Sequence, residues 1–100
     1  MRIDKLLWFL RFARSRSAAQ HLVKEGHLRR NGQRVIRVSQ PVEVSDVLTI
    51  PLANRVVVIR IEAIPARRGP ANEARECYRV LDADDDLAIA GRQGQMPETD

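Results

Sequence analysis

Ile3, Leu6, Leu7 and Leu10 recur at i, i+3, i+4 and i+7, the spacing that aligns side chains along one face of an α-helix, so a first helix with a single core-facing stripe is predicted. Trp8 and Phe12 fall outside that stripe. Either they stack on the bases of a ligand or another element covers them. Covering is expected, because a large aromatic in a small chain is more often packed than ligand-bound. A second amphipathic segment follows, apolar at Ala19, Leu22 and Val23, with Ser15 or Ser17 able to cap its start and Gly26 able to stop it in left-handed backbone. Its opposite face carries Arg16, Ser17, Gln20, His21 and Lys24.

Beyond Gly26 the period changes from helix to strand. Asn31-Gly32 is the preferred pair for a type I′ hairpin turn, and the register it sets pairs Arg30 with Gln33, Arg29 with Arg34, Leu28 with Val35 and His27 with Ile36. Arg29 then faces Arg34 across the hairpin, a like-charge pair that costs up to about 1 kcal/mol. The two arginines can relieve that cost by splaying into solvent or by sharing an anion. Further strands are predicted at 42–44, 47–50 and 56–64, with a turn at Ser45-Asp46 and a connection over 51–54. In the last of them Val57, Ile59, Ile61 and Ala63 share a face.

Pro70 can open a third helix in which Ala74, Cys77, Tyr78 and Leu81 form a stripe, holding Cys77 as a small hydrophobe and covering Trp8 and Phe12. From Asp82 onward the chain is acidic and offers little to bury beyond Leu87 and Ile89, so 82–100 is expected to stay solvated as a flexible acidic tail. The elements add up to an α+β fold: two N-terminal helices on a small, mostly antiparallel sheet, plus a C-terminal helix. The expected organisation is a domain over 1–64, a helical extension packed on it over 65–81, and the tail.

Charge sharpens this picture. The first 37 residues hold ten Lys/Arg against two Asp/Glu, whereas the remainder holds seven against eleven. Because the basic residues fall on elements predicted to fold, they form a structured cationic surface of the kind that binds a polyanion, nucleic acid above all. Cys77 is the only cysteine, which excludes a disulfide framework and a Cys-based zinc site, and His21 and His27 stand apart from other ligand types, so no metal or cofactor is expected. No nucleophile is paired with a recognisable base and no phosphate loop is present, so the chain is read as non-catalytic. The five apolar residues from Leu6 to Leu10, followed by Arg11, Arg14 and Arg16, are too few for secretion or a membrane span. A cytoplasmic monomer with no membrane partner is expected.

Four ordered blocks complete the reading: Arg2-Ile3-Asp4-Lys5-Leu6-Leu7-Trp8, Ser15-Arg16-Ser17-Ala18-Ala19-Gln20, Gly26-His27-Leu28-Arg29-Arg30-Asn31-Gly32 and Val44-Ser45-Asp46-Val47-Leu48. Over the first half of the chain this series resembles the S-four RNA-binding domain, the family named for ribosomal small-subunit protein four. The later run Arg67-Arg68-Gly69-Pro70-Ala71-Asn72-Glu73-Ala74, with Tyr78 after it, is similar to a free-standing bacterial heat-shock member of that family. The resemblance implies that two helices and a hairpin present one RNA-binding face, with contacts at Arg2, Lys5, Ser15, Arg16, Gln20, Lys24, His27, Arg29 and Arg34. The basic and polar surface read from the residues adds Arg14, Ser17, Arg30 and Asn31.

The partners so implied are ribosomal or transfer RNA and the large ribosomal subunit, in stress or translation rescue. Two positions depart from the family pattern: Arg30 stands where an apolar or aromatic residue is usual, and Ser45 replaces the glycine that usually precedes the aspartate. A DNA-binding regulator that uses the two basic helices as a helix-turn-helix is the competing reading, since phosphate contacts alone do not separate DNA from RNA. The basic hairpin directly after the second helix favours RNA.

Overall fold

The computed structural model describes residues 1–81; the acidic segment 82–100, including Leu87 and Ile89, lies outside the described residues. Helix α1 (Ile3–Phe9) and helix α2 (Arg16–Lys24) pack on one side of a five-stranded antiparallel sheet. Its strands are β1 (Arg29–Arg30), β2 (Gln33–Arg34), β3 (Val47–Pro51), β4 (Val56–Ile61) and β5 (Tyr78–Val80), in the spatial order β2-β1-β3-β4-β5. A short helix α3 (Ala71–Arg75) precedes β5.

The predicted stripe of α1 is the centre of the core: Ile3, Leu6, Leu7 and Leu10 are buried against Ala19 and Val23 of α2 and against Leu48, Ile50, Ile59 and Ile61 of the sheet. Ser15 is the cap of α2, its hydroxyl accepting from the Ala18 amide at 3.0 Å, and Ser17 is the second residue of the helix. Gly26 stops the helix with φ of +86°, as left-handed backbone requires. In the hairpin, Asn31 and Gly32 both have positive φ, and the ladder pairs Arg29 with Arg34 and Arg30 with Gln33. Beyond the ladder, the Val35 amide still donates to the Leu28 carbonyl at 2.9 Å.

Three expectations need correction. The strand predicted over 56–64 ends at Ile61, and Ala63 is exposed instead of continuing its buried face. Residues 42–44 form no strand; Val42 is buried beside the N-terminus, its amide donating to the Met1 carbonyl at 2.8 Å, while Pro41 bridges to Arg2. Proline has no amide to give a central ladder, and the turn at Ser45, with φ of +81°, redirects the chain before β3 begins. The third helix is also shorter than its periodicity predicts. It ends at Arg75, and Tyr78, placed on a helical stripe by the sequence, lies in β5 opposite Ile61.

Residues 65–81 therefore extend the domain mainly by adding an edge strand to β4. Neither Trp8 nor Phe12 is covered by a long helix. Arg68 lies over the Trp8 ring at 5.8 Å and donates to the Trp8 carbonyl at 2.9 Å, while Phe12 meets the Tyr78 ring at 5.0 Å between centroids. Arg11, itself at φ of +67°, holds the same loop through a bond to the Gly69 carbonyl at 2.8 Å. Cys77 is half-buried against the core, and burial together with Glu76 and Glu73 pushes its thiol pKa up, so it is not an activated nucleophile.

Candidate nucleic-acid interface

Arg16, Gln20 and Lys24 recur every four residues along α2 and so share one face of it, about 12 Å long at roughly 1.5 Å per residue. What the sequence does not reveal is how the N-terminal end of that face is held. Asp4, on α1, is fully buried and accepts hydrogen bonds from Arg2 Nε at 2.9 Å and Nη2 at 3.0 Å, from Gln20 Nε2 at 3.0 Å, from Arg16 Nη2 at 3.3 Å and from the Lys5 amide at 2.7 Å. Burial alone would disfavour the ionised carboxylate, but these five bonds outweigh it and hold the Asp4 pKa down at about 2.

Asp4 is therefore an anion at any physiological pH. It fixes three of the predicted contact residues, and because it supplies one negative charge against two guanidinium groups, the cluster stays cationic. Arg16 Nε is buried and meets no acceptor among the described residues.

A second buried acid organises the hairpin. Asp46, 8% exposed, accepts from Arg30 Nε at 2.7 Å, from Asn31 Nδ2 at 3.1 Å and from the Glu43 amide at 2.9 Å. Asn31 in turn accepts from the Val47 amide at 2.8 Å, which clamps the turn onto β3. Burial opposes ionisation here too, yet the bonds from Glu43, Arg30 and Asn31 prevail and lower the Asp46 pKa. The departure at position 30 is thus compensated inside the fold. In place of an apolar side chain, Arg30 forms an ion pair with the acid that anchors the turn, so Arg30 and Asn31 direct polar groups inward.

Arg29 and Arg34 are exposed and directly opposed, and they splay apart. Arg29 donates to the Gly32 carbonyl at 3.2 Å, whereas Arg34 reaches back toward the end of α2, its Nη1 3.6 Å from where a Cβ on Gly26 would sit. Arg34 there shares a shallow cleft with Lys24. Lys5 lies over the Phe9 ring at 5.3 Å. Ser17 and His27 are exposed, and Arg14 lines a different cleft beside Arg11 and Arg68.

The structure thus gathers Arg2, Arg16 and Gln20 around Asp4, and Lys24 and Arg34 at the end of α2, with Arg29 turned toward Gly32 on the hairpin. One face of α2 joins the two groups. Asp4 and Asp46 are the organising residues that sequence reasoning missed. The available signal for Asp4 was an acid flanked by Arg2 and Lys5 in a basic stretch.

Comparison with known proteins places the chain in a family. The S4 domain family model matches residues 1–48. Heat shock protein 15 of Escherichia coli K12 is 36% identical over 78 residues, covering 78% of this chain and 58% of that protein; this chain accordingly spans less than two thirds of that relative's length. Small ribosomal subunit protein uS4 of Desulfovibrio desulfuricans is 35% identical, covering 99% of this chain and 45% of that protein. A solved trimeric structure of Heat shock protein 15 from Vibrio cholerae superimposes with a TM-score of 0.78 at 33% identity, over 94% of this chain and 92% of that one.

Proposed function

This chain belongs to the S4-domain family that includes Heat shock protein 15, and we propose that it is a non-catalytic protein that binds structured RNA through the face built by α1, α2 and the hairpin. In this reading Arg2, Lys5, Arg16, Gln20, Lys24, His27, Arg29 and Arg34 meet phosphates and sugar edges, with Arg14, Ser15 and Ser17 at the margin and Arg30 and Asn31 holding the turn. The observation that carries it is the α2 face: cationic residues anchored on Asp4 at one end and continued by Lys24 and Arg34 at the other. A face held in place before the ligand arrives loses less side-chain entropy on binding, by about 0.5–1.5 kcal/mol for each long side chain already fixed.

The RNA is of the ribosomal or transfer type, and association with the large ribosomal subunit in stress or translation rescue is the biological setting the family membership favours. Residues 1–64 form the RNA-binding unit, and 65–81 extend its sheet by an edge strand.

Charge reversal tests this reading at Lys24 and Arg29. Both are exposed, whereas Arg16→Glu would set a carboxylate against buried Asp4 and confuse binding with folding. The double variant Lys24→Glu/Arg29→Glu should lose more than tenfold in affinity for transfer RNA while keeping its fold. With about four to six phosphates engaged, the wild-type log affinity should fall against log salt with a slope on the order of −3 to −5. Unchanged affinity in the folded variant would refute the chosen face, and a preference for duplex DNA over RNA at equal salt would favour the helix-turn-helix reading. Co-sedimentation with purified large ribosomal subunits, lost in the same variant, tests the setting.

A further inference from the structure

Ile36 is the most exposed large hydrophobic residue among the described residues, at 80%. Its neighbours make the exposure informative. It lines a cleft of about 460 Å³ with Val23, Lys24, Gly26, Arg34 and Val35, between the end of α2 and the chain leaving the hairpin. That volume falls within the roughly 300–1,000 Å³ typical of small-ligand sites. No acid lines the cleft, and neither Lys24 nor Arg34 pairs with a carboxylate among the described residues. Gly26 lines the floor with its backbone, and the Arg34 side chain packs over it, Nη1 lying 3.6 Å from where a Cβ would sit.

An apolar platform beside two cations that are unpaired among the described residues is poorly matched to either kind of simple partner. A purely apolar protein surface would leave the cations without partners, and a bare phosphate strand would leave Ile36 in water. An unpaired nucleotide satisfies both, since its base is a flat apolar face and its flanking phosphates are anions.

We infer that this cleft receives one unpaired nucleotide of the bound RNA, with the base against Ile36 and the adjoining phosphates on Lys24 and Arg34. The inference rests on the RNA-binding reading and adds a preference to it: the protein selects RNA that offers a bulged or looped-out base at this point, instead of a continuous helix. Because an A-form duplex keeps its bases stacked and its major groove narrow, a paired segment cannot offer its base face to Ile36.

The experiment compares the intact chain with Ile36→Ser and Ile36→Phe, two changes at an exposed position that the core does not use. Each protein is titrated with a stem–loop carrying one unpaired adenosine, with the same stem–loop fully paired, and with the bulged form made abasic. Wild type should prefer the bulge over the abasic form by about fivefold, since an aliphatic platform holds a base less tightly than an aromatic one. Ile36→Ser should abolish that preference and leave the paired RNA unaffected, while Ile36→Phe should increase it. Equal losses on all three RNAs, or no loss on the bulged one, would overturn the nucleotide site and leave the phosphate-binding face standing. Failure of wild type to bind any of them would instead overturn the RNA-binding reading, and this inference with it.

Discussion

Asp4→Asn removes one charge and little volume from the most heavily bonded side chain in the structure. The carboxylate pKa is held at about 2 against an ordinary value of 3.8. At roughly 1.36 kcal/mol per pH unit that gap represents about 2.5 kcal/mol of stability contributed by the ionised form. Breaking a fully buried ion pair typically costs about 3–5 kcal/mol, but the Arg2 and Arg16 side chains are 44% and 40% exposed, so water can take them back and the lower figure governs.

Because the folded value lies below the unfolded one, the contribution is complete above pH 4 and disappears as pH falls through about 2. Urea denaturation at a series of pH values should therefore find the variant about 2–3 kcal/mol less stable than wild type at pH 7, with the difference closing as acid protonates Asp4. Asp46 gives both proteins a shared part of their acid sensitivity, so the difference between them isolates Asp4. A variant as stable as wild type at neutral pH, or a deficit that persists unchanged at pH 2, would refute the account of Asp4 as the ionised anchor of the α2 face.

Ser45→Gly should stabilise the protein by roughly 0.5–1 kcal/mol in a denaturant titration, because φ of +81° strains a residue with a Cβ more than glycine's extra chain entropy costs; a destabilised variant would show that the turn is not strained. Tyr78→Ala should cost about 2–4 kcal/mol by loss of buried area and of the ring pair with Phe12, with the midpoint shifting and the m-value unchanged. Arg68→Ala should change Trp8 emission while Tyr78→Ala leaves it nearly as it is, since it is the guanidinium that lies over the indole; the opposite pattern would restore a covering role to the 70–81 segment.

Local signals carried much of this protein. The i, i+3, i+4 stripe of α1, the Ser15 cap and Gly26 stop of α2, and the Asn31-Gly32 turn with its Arg29–Arg34 register each depend on residues within a few positions of one another, and the structure has all of them. The charge asymmetry and the four motif blocks were likewise readable, and with them the family and the cationic face.

Tertiary structure decided the rest. Residues 71–81 repeat with helical period, yet the open edge of β4 competes for their backbone, and pairing Tyr78 with Ile61 and Val80 with Ile59 wins once the sheet exists. Which basic residues point outward was decided by two acids distant in sequence: Asp4 binds Arg16 across 12 positions and Gln20 across 16, and Asp46 binds Arg30 across 16. A carboxylate's partners are those that folding brings within about 3 Å in a shared, desolvated place, and hydrophobic periodicity contains no term for that distance.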